Sequence, residues 1–232
     1  IDLSGLGTGA LFDLQQVEVF KGPQSSAFGA NALAGLINVQ SAEASSTVER
    51  TFRFGMGGDG LLRMEGVLNQ PINDRLALRA SFQSARSNGF RENVFLDAED
   101  SNKRLEESLR LKMRYVAPSG LLLKGTLFRV DADNGYDMWA PDNNEELFTY
   151  TNQPGDDHQT TTAASIRAEK LFTNSLNIIS ISTYSQTDLD YSYDGDWGND
   201  SYWLGEPYLF NPDAEGYSYD FFDRTKRERT SW

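Results

Sequence analysis

The sequence contains no cysteine and only one histidine, His158. Without cysteine, neither a disulfide framework nor a thiolate metal site is available. A metal centre built on several histidines is excluded within this chain, and a Ser-His-Asp arrangement would have to use the one histidine. Carboxylates are too abundant for any pair to stand out as catalytic. We therefore expect no metal site, no cofactor and no enzyme activity.

Long apolar runs and basic residues are also in short supply. No stretch of about 18 apolar residues could form a membrane-spanning helix, and the mean hydropathy is −0.52. This low hydropathy does not exclude a transmembrane β-barrel, because the strands of a barrel alternate between apolar and polar faces. The 21 Lys and Arg residues face 34 Asp and Glu residues, a net charge of −13. This charge argues against nucleic acid as a partner, since phosphate neutralisation needs basic patches.

From Val48 onward, apolar and polar residues alternate. In residues 76–83 the apolar positions are Leu76, Leu78, Ala80 and Phe82. Segments 48–56, 62–69 and 108–115 alternate equally well, and 121–130, 161–171, 175–185 and 224–232 have strand-like composition with less regular alternation. The pattern predicts about eight antiparallel strands. Their polar face would carry Arg53, Arg63, Arg79, Arg110, Lys112, Arg114 and Arg167.

Short and long connections separate these segments in turn. Residues 71–75, 118–120 and 172–174 predict tight turns, whereas 85–107, 131–159 and 187–223 predict long loops, and only 57–60 is short on the long-loop side. An up-and-down outer-membrane barrel has this parity, with brief turns on one rim and extended loops on the other. Segments 131–159 and 187–223 contain many acids and no Lys or Arg.

Residues 16–41, QVEVFKGPQSSAFGANALAGLINVQS, form the most specific motif. Two strand-like runs, 17–20 and 36–40, enclose a segment punctuated by Gly22, Pro23, Gly29 and Gly35. Pro23 suits a first helical position and Gly29 a left-handed cap, so we expect a single helical turn over 24–28. A second helical turn is expected at 9–14.

This motif resembles the end of the plug domain in TonB-dependent outer-membrane receptors. The matching residues are Val17, Glu18, Val19, Gly22, Pro23, Gln24, Gly29, Asn31, Ala32, Gly35, Ile37, Asn38 and Val39. The sequence departs from the family pattern at Lys21, where arginine is common, and at Ala34, which replaces the first glycine of a pair. By resemblance, Glu18, Lys21, Gly22, Pro23, Gly29, Asn31, Gly35 and Asn38 are expected to shape and anchor the plug. Plug acids such as Glu18 are expected to meet the basic residues of the polar strand face, which would line the barrel lumen.

The resemblance implies an all-β fold, with the C-terminal part of a plug domain (1–44) followed by the N-terminal strands of a large transmembrane barrel (45–232). The absence of an initial Met and the strand-like end suggest a fragment. The implied function is TonB-dependent uptake of a scarce nutrient across the outer membrane of a Gram-negative bacterium. The expected partners are outer-membrane lipid, the inner-membrane TonB complex acting through a segment outside this chain, and the cargo.

Cargo is expected to be a ferric siderophore or another metal chelate, with an oligosaccharide or other neutral ligand as the alternative. Aromatic residues of the long loops are the candidate ligand contacts, namely Tyr136, Trp139, Tyr191, Tyr193, Trp197, Tyr202 and Trp203. Flat rings with polar edges suit sugars and chelating groups, but they also pack loops together. Asp190, Ser192, Asp194 and Gly195 echo half of a calcium loop, although Ser201 stands where glutamate is expected. Two functions of another class stay open, a soluble carbohydrate-binding β-domain and a hydrolase carried on a β-barrel.

Overall fold

The computed structural model describes residues 11–24, 34–173, 176–206, 208 and 221–232, and most of this part of the chain is strand, with almost no helix. None of its helices is long and apolar enough to cross a membrane. The strands are β1 (Leu14–Lys21), β2 (Gly35–Ser41), β3 (Glu49–Met56), β4 (Leu62–Pro71), β5 (Leu76–Ser87), β6 (Glu92–Asn93), β7 (Arg104–Val116), β8 (Leu122–Gly135), β9 (Phe148–Thr149), β10 (Asp156–Thr173), β11 (Leu176–Asp194) and β12 (Phe222–Ser231), with one short helix, α1 (Asp200–Leu204).

The main sheet has eight strands in the order β12-β11-β10-β8-β7-β5-β4-β3. Every neighbouring pair is antiparallel, and each strand lies beside the next long strand in sequence. This up-and-down order confirms the all-β prediction of about eight antiparallel strands. The outer strands, β3 and β12, have no second partner among the described residues, so the sheet is open.

Alternation along each strand gives this sheet an apolar and a polar face. Leu68, Ala80, Leu111, Leu127 and Ala164 are paired in succession across β4, β5, β7, β8 and β10, and so form an apolar row. Many apolar side chains on this face are exposed, as a lipid-facing surface would be. The opposite face carries the corresponding row Asn69, Arg79, Lys112, Thr126 and Ser165.

The strands at the β12 side are longer than their apolar patterns predict. β10 has 18 residues and β11 has 19, whereas about 9–11 residues are enough to cross a bilayer. The acidic run 188–194, predicted as loop, is instead the last part of β11. In this run the carboxylate of Asp190 accepts a hydrogen bond from Arg224 Nε of β12 at 2.8 Å, and Lys226 Nζ lies 3.3 Å away. Cross-strand neutralisation thus lets an acidic segment remain in a sheet.

A separate two-stranded sheet is formed by β1 and β2. Its antiparallel register runs from Leu14 opposite Ser41 to Lys21 opposite Gly35. At the closed end, Gly22 has φ +85° and donates its N–H to Ala34 O at 3.1 Å. A Cβ on Gly35 would lie 2.6 Å from Phe20 O. Both positions therefore need glycine, the first for its backbone conformation and the second for space.

The segment between the two sheets is fastened to β4 by Asn69, whose side chain is completely buried. Its amide Oδ1 accepts the N–H of Ser45 at 3.0 Å, and its Nδ2 donates to Ser45 O at 3.0 Å and also to Thr47 O. Residues 41–47 are mostly small and polar, a composition that by itself predicts only a linker between two domains. The fully satisfied amide instead holds this linker at a defined place on the polar face.

The three long loops contain structure that their sequences do not predict. β6 and β9 pair in parallel, joining the loop after β5 to the loop after β8. In the third loop, α1 begins after Asn199, whose side chain accepts the N–H of Tyr202. The tight turns predicted at 71–75 and 118–120 are confirmed and occupy residues 72–75 and 117–121. Of the third turn, predicted at 172–174, residues 172 and 173 belong instead to β10. Residue 174 lies outside the described residues, as does most of the predicted helical turn at 24–28. Residues 11–14, the described part of the turn predicted at 9–14, are not helical.

Candidate functional site

The two-stranded sheet is held against the polar face of the main sheet by a buried ion pair. Arg79 on β5 donates from Nε and Nη2 to the carboxylate of Asp13, with the Nε contact at 2.9 Å. Its remaining Nη1 lies 2.8 Å from Glu49 on β3. The side chains of Arg79 and Asp13 are only 6% and 5% exposed. Burial favours protonation of Asp13, but the bonds and charge of Arg79 outweigh it and hold the carboxyl pKa below 3.8.

Three further basic residues, Arg110, Lys112 and Lys124, complete this contact. We call these three residues, with Arg79 and Asp13, the latch. Arg110 donates to Phe12 O at 2.8 Å, and Lys112 donates to Ser41 O at 3.1 Å. Lys112 and Lys124 lie 2.9 and 3.4 Å from the carboxylate of Glu43. The latch therefore grips both the entry to β1 and the exit from β2.

Glu18, which was expected to meet this basic face, does not. Its carboxylate accepts hydrogen bonds from the side-chain amides of Gln16, Asn38 and Gln40 at 2.9, 2.7 and 3.2 Å. These partners lie on the same face of β1 and β2, because the register places Glu18 opposite Asn38. Asp13 and Glu43 are the acids that reach the main sheet. Glu18 instead holds β1 and β2 together.

The other plug-motif residues that the structure describes lie at one end of the two-stranded sheet. Lys21 is the last residue of β1, Gly22 and Pro23 follow it, and Gly35 begins β2. Gly29 and Asn31 lie outside the described residues. The structure thus brings Glu18 and Asn38 into contact and places Lys21, Gly22 and Gly35 at one turn.

A cavity of about 440 Å³ separates the two-stranded sheet from the main sheet. Its walls include Asn38 and Glu43 on one side and Arg110, Lys124 and Arg167 on the other. Arg167 also donates to Glu169 at 2.9 Å. The cavity has both polar and apolar walls and carries more positive than negative side chains.

The candidate ligand aromatics form three groups at the opposite, long-loop rim. Trp139 and Trp197 stack with centroids 6.2 Å apart. Tyr202 is the centre of the second group, 4.5 Å from Tyr150, 5.3 Å from Trp203 and 5.4 Å from Tyr208. In the third, Tyr191 lies 4.8 Å from Tyr136 and 5.9 Å from Tyr193.

The three groups differ in exposure, which separates packing rings from available ones. Trp139 and Trp197 are 57% and 42% exposed, whereas Tyr202, Trp203 and Tyr150 are partly buried. Trp197 also has φ +57°, a conformation that is rare and strained for a bulky residue. Two N–H groups, of Asp196 and Trp197, bond to Asp194 Oδ1 at 3.2 Å and support this turn. The tryptophan pair is therefore the aromatic surface most open to a ligand.

A buried polar network fixes the loops that carry these rings. Asn93 and Thr149 are completely buried, and both donate to Asp137 Oδ2, at 2.9 and 2.7 Å. Asn93 also donates to Thr151 O at 3.0 Å. Asn199 continues the network by donating to Tyr150 O. The loops after β5, β8 and β11 are thus tied into one unit.

The phenol of Tyr150 donates to Asp142 Oδ2 at 2.7 Å. Burial, this bond and the negative charges of Asp142 and Glu146 raise the pKa of Tyr150 to about 12. Burial favours protonation of Asp142, but hydrogen bonds from Tyr150 and Asn144 outweigh it and lower the pKa of that carboxyl below 3.8.

The polar residues singled out for metal or catalytic chemistry do not assemble into a site. Within the described ranges, no three His, Cys, Asp or Glu residues are placed to hold a metal ion. His158 is half exposed and its Nδ1 lies 3.8 Å from Asp133. In the run that echoes a calcium loop, Asp190 is occupied by Arg224 and Lys226.

No protein-family model matches the sequence. A curated relative, the vitamin B12 transporter BtuB of Vibrio vulnificus, is 22% identical over 133 residues, which cover 57% of this chain and 22% of the relative. The chain thus spans about a fifth of that relative's length.

Solved structures give broader coverage. The siderophore receptor PiuA of Acinetobacter baumannii has a TM-score of 0.67 and 16% identity, covering 79% of this chain and 27% of that one. The ferric-catecholate import receptor Fiu of E. coli in its open form has a TM-score of 0.66 and 19% identity, covering 94% and 34%. The ferric yersiniabactin uptake receptor FyuA of Yersinia pestis has a TM-score of 0.69 and 18% identity, covering 78% and 29%.

All of these proteins are described as receptors or transporters, which agrees with the expectation that the chain is not an enzyme. The identities are low, so the likeness concerns the fold. In the open form of Fiu it covers 94% of this chain, which leaves room for both the two-stranded sheet and the main sheet. The sequence motif, the fold and these relatives together confirm the resemblance to TonB-dependent outer-membrane receptors: the chain has the fold of the part of such a receptor in which the plug ends and the barrel begins.

Proposed function

We propose that this chain is part of a transporter that takes a scarce nutrient across the outer membrane of a Gram-negative bacterium, driven by the inner-membrane TonB complex. One observation carries the proposal: the motif-bearing two-stranded sheet is latched by Arg79 and Lys112 to the polar face of an up-and-down sheet. In a closed barrel this face would line the lumen. A plug docked there would block passage until it is moved.

The domain division that follows has its boundary in the linker. Residues 1–44 would belong to the plug and residues 45–232 to the barrel. The linker up to Thr47 is held by Asn69 of β4, so the boundary is a fixed point rather than a free hinge. The exposed apolar face of the main sheet would contact outer-membrane lipid.

The first candidate cargo is a metal chelate, for which the relatives named above provide support. They comprise receptors described as importing ferric compounds and a transporter of vitamin B12. Cargo would be captured at the long-loop rim, where three aromatic groups are held by the Asn93–Asp137 network. The plug motif residues would then serve structure and coupling rather than cargo choice.

An oligosaccharide is the second candidate, favoured by the exposed stacked pair of Trp139 and Trp197. Indole faces of this kind also suit the apolar face of a sugar ring. The two cargo classes differ in what the cell gains, iron in one case and carbon in the other.

The test is uptake by a strain without other outer-membrane receptors, expressing the full-length protein. We expect one chelate or sugar to be accumulated only when the TonB complex is intact. Trp139→Ala is the cargo-site variant, and Asp74→Lys, at the exposed turn on the opposite rim, is the matched control. Equal accumulation with and without the TonB complex would refute the proposed function. Growth on single iron and single carbon sources then separates the two cargo classes.

A further inference from the structure

The exposed tryptophan pair stands in surroundings of one charge sign. Residues 131–159 and 187–223, which carry both rings, contain no Lys or Arg. Glu145, Glu146 and Asp200 are exposed acids in these two loops, and Asp142 lies at Tyr150. Charges within about 10 Å act on a bound ligand at moderate salt, because screening is incomplete over that distance.

Basic residues that border these loops are already occupied or buried. Lys103 lies 3.5 Å from Asp133, and Arg224 is paired with Asp190. Arg91 lies over the ring of Phe90, and its Nε and Nη1 are buried without a hydrogen-bond partner. Lys103 and Arg224 are therefore neutralised by neighbouring acids, and two of the three guanidinium nitrogens of Arg91 are buried and closed to a ligand on the tryptophan surface.

The behaviour of Tyr150 shows the sign of the local field. Its pKa rises to about 12 through burial, the bond to Asp142 and the charges of Asp142 and Glu146. Asp142 and Glu146, which disfavour a phenolate at Tyr150, lie in the loop that carries Trp139, where they also disfavour an anionic ligand. They also strengthen the attraction of a cation to an aromatic face.

We infer that the Trp139–Trp197 surface binds metal chelates of zero or positive net charge and discriminates against anionic chelates. This inference rests on the proposed function and names the class of cargo within it. The tryptophan faces supply contact area and cation–π attraction, and the acids supply the charge selection.

The experiment compares two probes on the purified full-length protein, a cationic ferric trihydroxamate and an anionic ferric tris-catecholate, by calorimetry at low and high salt. We expect the cationic probe to bind at least about tenfold more tightly at low salt, with the preference shrinking as salt rises. Trp139→Ala should weaken the cationic probe by about tenfold, and Trp139→Phe should restore part of the affinity.

A matched pair of charge reversals isolates the electrostatic part. Glu146→Lys should reduce the preference for the cationic probe by about threefold to fivefold, whereas Asp74→Lys, on the opposite rim, should leave it unchanged. Tighter binding of the anionic probe would overturn the inference, and loss of that binding in Arg91→Gln would identify Arg91 as the anion site. An unchanged preference in Glu146→Lys would also overturn it.

Cellular uptake distinguishes failure of this inference from failure of the proposed function. If the anionic chelate is taken up through the TonB complex in preference to the cationic one, only the charge selection is wrong. If neither chelate nor any sugar is taken up, the transport proposal fails and this inference fails with it.

Discussion

Loss of Arg79 should release the two-stranded sheet from the main sheet. The carboxylate of Asp13 is only 5% exposed, and Arg79→Ala removes the guanidinium with which it is paired. Removing one partner of a buried pair costs about 3–5 kcal/mol, because the remaining charge is uncompensated. The contact with Glu49, which is 46% exposed, adds no more than about 1 kcal/mol. We therefore expect a loss of about 4 kcal/mol in the docking of this sheet.

The absence of cysteine makes this measurable in the full-length protein, once any cysteine outside this chain is replaced. A single environment-sensitive dye on Gln15→Cys, an exposed position at the start of β1, reports release of the sheet in urea. With a slope of about 2 kcal/mol/M, the midpoint should fall by about 2 M. A shift below about 0.5 M would refute the reasoning.

Two controls separate charge burial from general damage. Arg79→Met combined with Asp13→Leu removes both charges and should recover the midpoint to within about 0.5 M, because apolar replacement of a buried pair is often neutral. Arg129 makes a similar two-bonded contact with Asp131, both at 2.7 Å, but with half-exposed side chains. Arg129→Ala should cost less than about 1 kcal/mol. A double variant as weak as Arg79→Ala would show that Arg79 acts through something other than Asp13.

Further predictions concern the linker, the hairpin turn and the loops. Asn69→Ala should free the linker at Ser45, because the N–H and the C=O of Ser45 lose their hydrogen bonds to the Asn69 side chain. The hydrogen-exchange rate of the Ser45 amide should rise about tenfold or more; an unchanged rate would contradict this. Gly35→Ala should destabilise the two-stranded sheet by about 1–3 kcal/mol through its clash with Phe20 O, measured by the same dye, and an unshifted urea midpoint would contradict the clash. Because the folded pKa of Tyr150 is about 12, above an unfolded value of about 10, its stabilisation should be present below pH 10 and lost towards pH 12. The lowered pKa of Asp142 has the opposite sign, so its contribution is present above pH 3.8 and lost at lower pH. Tyr150→Phe should reduce the alkaline loss measured by loop fluorescence, and the remainder should come from Tyr191 and Tyr202, whose pKa values are also raised by burial; an undiminished loss would contradict the assignment.

Local alternation was enough to predict the strands of the main sheet but not how its loops are built. Residues 78–83 alternate without interruption, and β5 extends only a few residues beyond them on either side. By contrast, Asn93 meets Asp137 and Thr151 across 44 and 58 residues of sequence. No local pattern encodes such a contact, because it depends on how three loops fold over one another. The prediction that Glu18 meets basic residues of the main sheet was wrong for a similar reason. Nearby side-chain amides such as that of Asn38 bind the Glu18 carboxylate instead.

The length of β11 shows a different limit of sequence reasoning. Acids are unfavourable in strands, so the run 188–194 predicted loop. The run extends the sheet because Arg224 and Lys226 lie across from Asp190. Charge pairing between strands is visible only once their register is known.

The register of the two-stranded sheet also determines how it would respond to a mechanical load. The chain enters β1 and leaves β2 at the same end, where Leu14 is opposite Ser41. A pull from upstream, resisted by the fixed linker, would open this sheet one residue pair at a time instead of shearing all its hydrogen bonds together. Asp13 lies at the leading end, bonded to Arg79. The ion pair would therefore set the force at which opening starts, and little additional force would be needed to peel the strands apart.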